Sequence, residues 1–154
     1  MDTHLSRRRA LALSGAGLTV GLAGCSGGNG DDDRRQRGQE LRREDWEDVS
    51  SITVNGFTNG WVGVEPDPIT DLRNPTLLLF EGREYELTWE NRDAIRHNLE
   101  LRDEGGSVID GTQYISNRGE RGTLEFTAEP EMHAYVCAPH PRQMFAKIEV
   151  VEDD

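Results

Sequence analysis

From Ser50 to the end of the chain, apolar residues recur in short runs of period two, broken every few residues by turn formers. That pattern constrains the fold more than any other feature, because alternation of this kind places one side-chain face on a core and the other in water. Tyr85-Glu86-Leu87-Thr88-Trp89 alternates cleanly, as does Asn98-Leu99-Glu100-Leu101-Arg102. Similar runs occupy 51–55, 76–80, 123–126, 133–136 and 146–151, while Glu81-Gly82 and residues 103–106 supply turns. No stretch carries a good helical period. The expectation is an all-β, antiparallel Greek-key sandwich or barrel of about seven or eight short strands. The proline-bearing segment 57–74 reads as a long loop.

The chain ahead of this pattern reads as an address and a leash. Ser6-Arg7-Arg8-Arg9 supplies the consecutive arginines of a twin-arginine export signal. Residues 10–24 follow as a weakly apolar run, too short and too rich in glycine to span a bilayer, which takes roughly 20 apolar residues. The run ends in Leu22-Ala23-Gly24-Cys25, which resembles the lipobox of bacterial and archaeal lipoproteins. That resemblance implies cleavage after residue 24 and a lipid on Cys25, holding the protein outside the cytoplasm on the outer face of the cell membrane. Residues 25–47 read as a flexible polar linker, since glycine, aspartate, arginine and glutamine cannot bury enough surface to offset ordering. The folded domain is then expected over 48–154.

The formal charge is −12, from 29 acidic and 17 basic residues, and Lys147 is the single lysine. Loss of Arg7, Arg8, Arg9 and Asp2 with the signal takes it to −14. Such a surface repels phosphates and argues against a nucleic-acid partner. Abundant acid with almost no lysine resembles the composition of salt-loving archaeal proteins, in which concentrated salt screens self-repulsion.

Chemistry is concentrated near the end of the chain. Cys137-Ala138-Pro139-His140-Pro141-Arg142-Gln143-Met144 places a thiol, an imidazole and a thioether in one loop between the last two strands. Thiolate and thioether favour Cu(I) and imidazole serves both oxidation states, so the mixture suits copper that cycles. A further ligand has to come from elsewhere. His97 opens a strand after the turn-like residues 91–96, and in a sandwich that point can meet the loop at one end.

These residues carry a family resemblance. Tyr135-Val136-Cys137-Ala138-Pro139-His140, with Thr88-Trp89-Glu90-Asn91 and His97-Asn98 upstream, resembles the ligand-bearing segments of the cupredoxins, the plastocyanin, amicyanin, pseudoazurin and halocyanin group. The resemblance implies a cupredoxin fold and one type 1 copper ion. In it His97, Cys137 and His140 form the trigonal plane, and Asn98 steadies the cysteine loop beside the sulfur. It implies Met144 as the axial ligand. The three residues between His140 and Met144 differ from the two of amicyanin and the four of plastocyanin, and at the shorter spacing stands Gln143, the alternative axial ligand.

The function expected from this is single-electron transfer between redox proteins by a monomer, not catalysis. A copper storage or delivery protein of the same fold is the alternative. A cysteine enzyme is disfavoured, since Cys137 and His140 come with neither an orienting acid nor an oxyanion site. His133 matches no ligand position and reads as structural, and His4 falls in the signal.

Overall fold

The computed structural model describes residues 39–154, so the expected export signal, Cys25 and the first part of the expected linker lie outside the described residues. Nine strands follow in chain order: β1 Ser51–Phe57, β2 Gly60–Glu65, β3 Leu77–Phe80, β4 Glu84–Asn91, β5 Glu100–Arg102, β6 Val108–Gly111, β7 Arg121–Thr127, β8 Ala134–Val136 and β9 Phe145–Val151. They form two sheets, ordered β2-β1-β4-β7 and β3-β9-β8-β5-β6. Alternation sets which face turns inward. In β4, Tyr85, Leu87 and Trp89 are buried, while in β7 Leu124 and Phe126 are buried opposite them.

The all-β sandwich expected from the period-two runs is present, with two differences. The sheets are mixed and not purely antiparallel, because β1 runs parallel to β4 and β3 parallel to β9. Two strands were also hidden from the pattern. β2 lies within 57–74, where glycines at 60 and 63 interrupt the β-forming residues. Gly63 is required there: a Cβ would lie 1.9 Å from the Ile69 carbonyl oxygen, so the strand and the turn at Asp67–Ile69 approach backbone to backbone. β6 is a short edge strand with three of its four residues exposed, so it carries no burial alternation.

The domain also begins earlier than residue 48. Residues 39–47, expected to be solvated linker, pack on the sandwich. Trp46 is fully buried in the core and Leu41 packs against it. Gln39 clasps the backbone of Thr76 in both directions at 2.8 and 2.9 Å, and the Arg43 guanidinium lies over Phe80. These contacts account for β3 being buried at every position although it is a sheet edge. The reason is compositional: one tryptophan among many charges carries the apolar area of several smaller residues.

Trp61, Trp89 and Tyr135 form an aromatic cluster, with ring centroids 5.8 Å apart for the tryptophans and 6.0 Å for Trp61 and Tyr135. Gly122 faces Trp89 across the sheet, and a Cβ there would lie 2.5 Å from the indole nitrogen. Trp89 in turn stands edge-on to His97, 6.4 Å between centroids. The tryptophan is thus the floor beneath the residues described next.

Candidate metal centre

At the end of the sandwich beneath which Trp89 lies, the connections β4–β5, β6–β7 and β8–β9 meet the β1–β2 turn. Asn91 is the hub of the first two. It is fully buried, its amide nitrogen donates to the carbonyls of Ile95 at 2.7 Å and Ile115 at 3.0 Å, and its side-chain oxygen accepts from the amides of Asp93 at 3.2 Å and Ala94 at 3.0 Å. A reciprocal pair of backbone bonds then ties His97 to Ile115, at 3.0 and 2.8 Å. The imidazole of His97 is consequently carried into the interior on an anchored backbone, and it is fully buried.

The β8–β9 loop closes on itself. The Cys137 amide donates to the Met144 carbonyl at 3.0 Å, the His140 amide to the Cys137 carbonyl at 3.1 Å, and the Met144 amide to the His140 carbonyl at 2.9 Å. Asn98, also buried, accepts from the Ala138 amide at 2.8 Å and so binds the β5 side of the site to the loop just past the cysteine. Met144 is fully buried, whereas Gln143 is exposed and its carbonyl accepts from Asn74 at 2.9 Å.

His97, Cys137 and His140 converge. Sγ of Cys137 lies 3.6 Å from Nδ1 of His97 and 3.6 Å from Nδ1 of His140, and the two Nδ1 atoms are 3.2 Å apart. Three donors at about 2.0 to 2.3 Å from a common centre, with trigonal angles, would be separated by roughly 3.5 to 3.8 Å. The observed triangle fits a metal ion of that kind with little adjustment.

Nε2 of His97 lies 2.8 Å from Oδ1 of Asp93. A carboxylate only accepts, so Nε2 carries a hydrogen and Nδ1 is the ring nitrogen that faces Cys137 and His140. Burial pushes the Asp93 carboxyl upward, but hydrogen bonds from the side chain and amide of Thr58, from His97 and from the Ile95 amide outweigh it and hold the group at about 2. Burial raises the Cys137 thiol, and the amides of Asn98 and His140 pull the other way. Burial and the neighbouring His97 both lower the His140 imidazole, with Asp93 opposing. Three soft or borderline donor atoms turned to one point suit a cation, which would displace the proton that burial favours on the Cys137 thiol. Thiolate with two imidazoles, and a thioether adjacent in the loop, is the set that suits copper.

The structure thus brings together His97, Cys137 and His140, with Met144 buried in the same loop and Asn98 bracing it. His133 stands apart, its amide donating to the Arg102 carbonyl at 2.9 Å. Sequence reasoning missed Asp93 and, although Asn91 stands in the quoted motif, assigned it no role. An acid four residues ahead of the histidine, in a turn-rich stretch, was the available signal for Asp93, but nothing marked it off from the chain's many other acids.

Comparison with known proteins adds the following. The family of copper-binding proteins described as plastocyanin/azurin matches residues 82–151. No curated protein matches the chain. Among solved structures, dithionite-reduced auracyanin from the photosynthetic bacterium Roseiflexus castenholzii is 16% identical over 67% of this chain and 98% of its own, with a TM-score of 0.52, a likeness of fold. Auracyanin A from Chloroflexus aurantiacus, described as a "blue" copper protein, is 15% identical over 67% of this chain and 99% of its own, with a TM-score of 0.49. Reduced rusticyanin is 23% identical over 66% and 78%, with a TM-score of 0.45.

Proposed function

We propose that this chain is a cupredoxin, of the plastocyanin/azurin copper-binding family that matches residues 82–151, and that it is an electron carrier that works outside the cytoplasm and is tethered to the outer face of the membrane by lipid on Cys25. The observation that carries the electron-transfer reading is the convergence of Cys137, His97 and His140 on one point, each braced by its own hydrogen bonds. Copper bound there supplies a one-electron Cu(I)/Cu(II) couple.

The protein's part is to hold the donors still in both oxidation states. Asp93, fixed by Thr58, holds the His97 ring at one nitrogen and leaves the other free. Asn98 fixes the backbone beyond Cys137. His140 sits between Pro139 and Pro141, whose rings fix φ near −65° and remove amide donors. Its ring is half-buried where Cys137 is fully buried, so it is the ligand candidate nearest to solvent and the natural route for an electron. Met144, buried in the loop, would be the further residue holding the ion, and Gln143, exposed, would be a bystander.

The arginine pair at Arg7-Arg8 and the Leu22-Ala23-Gly24-Cys25 sequence support the export and lipid reading. The low lysine content with high acid supports work in concentrated salt. Voltammetry of the copper-loaded protein tests the carrier reading: a reversible one-electron wave is expected, and copper that binds without cycling would leave a storage or delivery role. Intact mass of the native protein tests the tether, with a chain starting at lipid-modified Cys25 expected and any other start contradicting it.

A further inference from the structure

The loops around the metal centre differ in charge from the rest of the molecule. Residues 57–61, 71–76, 91–98, 112–121 and 137–145 contain six of the chain's 17 basic residues but only three of its 29 acidic ones. Two of those three acids are engaged locally, Asp93 with Thr58 and His97, and Glu120 with Asn117 at 2.9 Å. Glu90, at the edge of the region, is shared by Arg92 and Arg121. Arg96, Arg118 and Arg142 are exposed and make no ion pair among the described residues.

The same end holds three of the four exposed large hydrophobic side chains among the described residues: Ile95, Tyr114 and Phe145. Arg96 lies over the Tyr114 ring at 3.9 Å, and Tyr114 adjoins Ile115, which is bonded to His97. Phe145 follows the Cys137–Met144 loop directly. Apolar surface rimmed by arginine is the composition that protein interfaces favour. On a chain of net charge −12, this end gathers three exposed arginines without an ion pair, whereas elsewhere among the described residues Lys147 on β9 is exposed and makes none.

We infer that this end is a docking surface for a redox protein presenting an acidic face, with Arg96, Arg118 and Arg142 as its cationic rim around Ile95, Tyr114 and Phe145. The inference rests on the electron-carrier reading of the metal centre and names the partner's chemistry. An acidic partner is favoured because the rim is positive at the point where a short path from His140 is available. Turning the acidic remainder of the chain away from such a partner fixes the orientation of approach. Rim charges of this kind act on association rate more than on final affinity.

The test uses the copper-loaded protein with two c-type cytochromes, one of net negative and one of net positive charge, at about 0.1 M salt, where the screening length is about 10 Å. The triple variant R96E/R118E/R142E should react about tenfold more slowly with the acidic cytochrome and faster with the basic one, with its visible spectrum unchanged. The milder R96Q/R118Q/R142Q variant should show the same trend at smaller size, and serves if charge reversal impairs folding. Equal rates for variant and parent with both cytochromes would overturn the inference. So would arginine-dependent binding to phosphatidylglycerol–phosphatidylcholine vesicles without any change in cytochrome rates, which would assign the rim to lipid. Exchange with hexacyanoferrate separates this result from failure of the carrier reading: a protein inert to that oxidant as well would lose both.

Discussion

Asp93 Oδ1 and His97 Nε2 are 2.8 Å apart, and the carboxylate that makes this contact is itself held by two bonds from Thr58, at 2.6 Å from its amide and 2.7 Å from its hydroxyl. The β1–β2 turn therefore reaches the metal centre through one acid and one imidazole. A carboxylate behind a ligating histidine fixes its tautomer and raises its basicity.

Asp93→Asn should weaken copper binding by about tenfold, the lower end of what loss of such an outer partner costs. It should also raise the reduction potential, because a less basic His97 stabilises Cu(II) less. Competition titration and voltammetry check both. An unchanged affinity and potential would reduce Asp93 to a loop anchor.

The same group makes acid stability predictable. Its folded value of about 2 lies below the ordinary 3.8, so its contribution is complete above the ordinary value and is lost as pH falls through the folded one. In metal-free protein, the stability difference between parent and Asp93→Asn should be constant above about pH 5 and shrink toward zero near pH 2. Denaturant midpoints across that range measure it. A difference that did not depend on pH would contradict the assignment.

Met144 and Gln143 stand in contrasting places, one fully buried and one exposed. Met144→Gln should lower the potential, since an amide oxygen favours Cu(II) where a thioether favours Cu(I). Gln143→Ala should leave it nearly unchanged. The reverse order would move the axial role to Gln143.

Trp46 is fully buried although it lies in the stretch expected as linker. Trp46→Ala should destabilise the domain by roughly 3 to 5 kcal/mol, the range for removing a large core aromatic. Urea denaturation gives the number. A loss below about 1 kcal/mol would mean that residues 39–47 rest on the sandwich without supporting it.

What could be read ahead of the structure follows from how each signal is written in the chain. Alternation in β4 and β7 is strict because each has one wet face, and those strands were legible. β2 was not, because Gly63 is there to admit the Ile69 carbonyl and in doing so erases the pattern. Parallel pairing of β1 with β4 depends on contacts distant in sequence, about which local alternation is silent. The convergence of His97, Cys137 and His140 was legible since thiol and imidazole are scarce in this chain. Asp93 was not, since aspartate is common, and only its meeting with Thr58 and His97 singles it out.

Electron transfer at this centre requires a metal–sulfur bond at Cys137, and the visible spectrum of copper-loaded parent and Cys137→Ser protein tests for it most directly. The parent should take up one copper ion per chain and show an intense visible band from Cu(II)–thiolate charge transfer. The serine variant, whose hydroxyl is a poor partner for Cu(I) and gives no such transition, should be nearly colourless. A Cys137→Ser protein that stayed intensely blue, or a copper-loaded parent without the band, would contradict it.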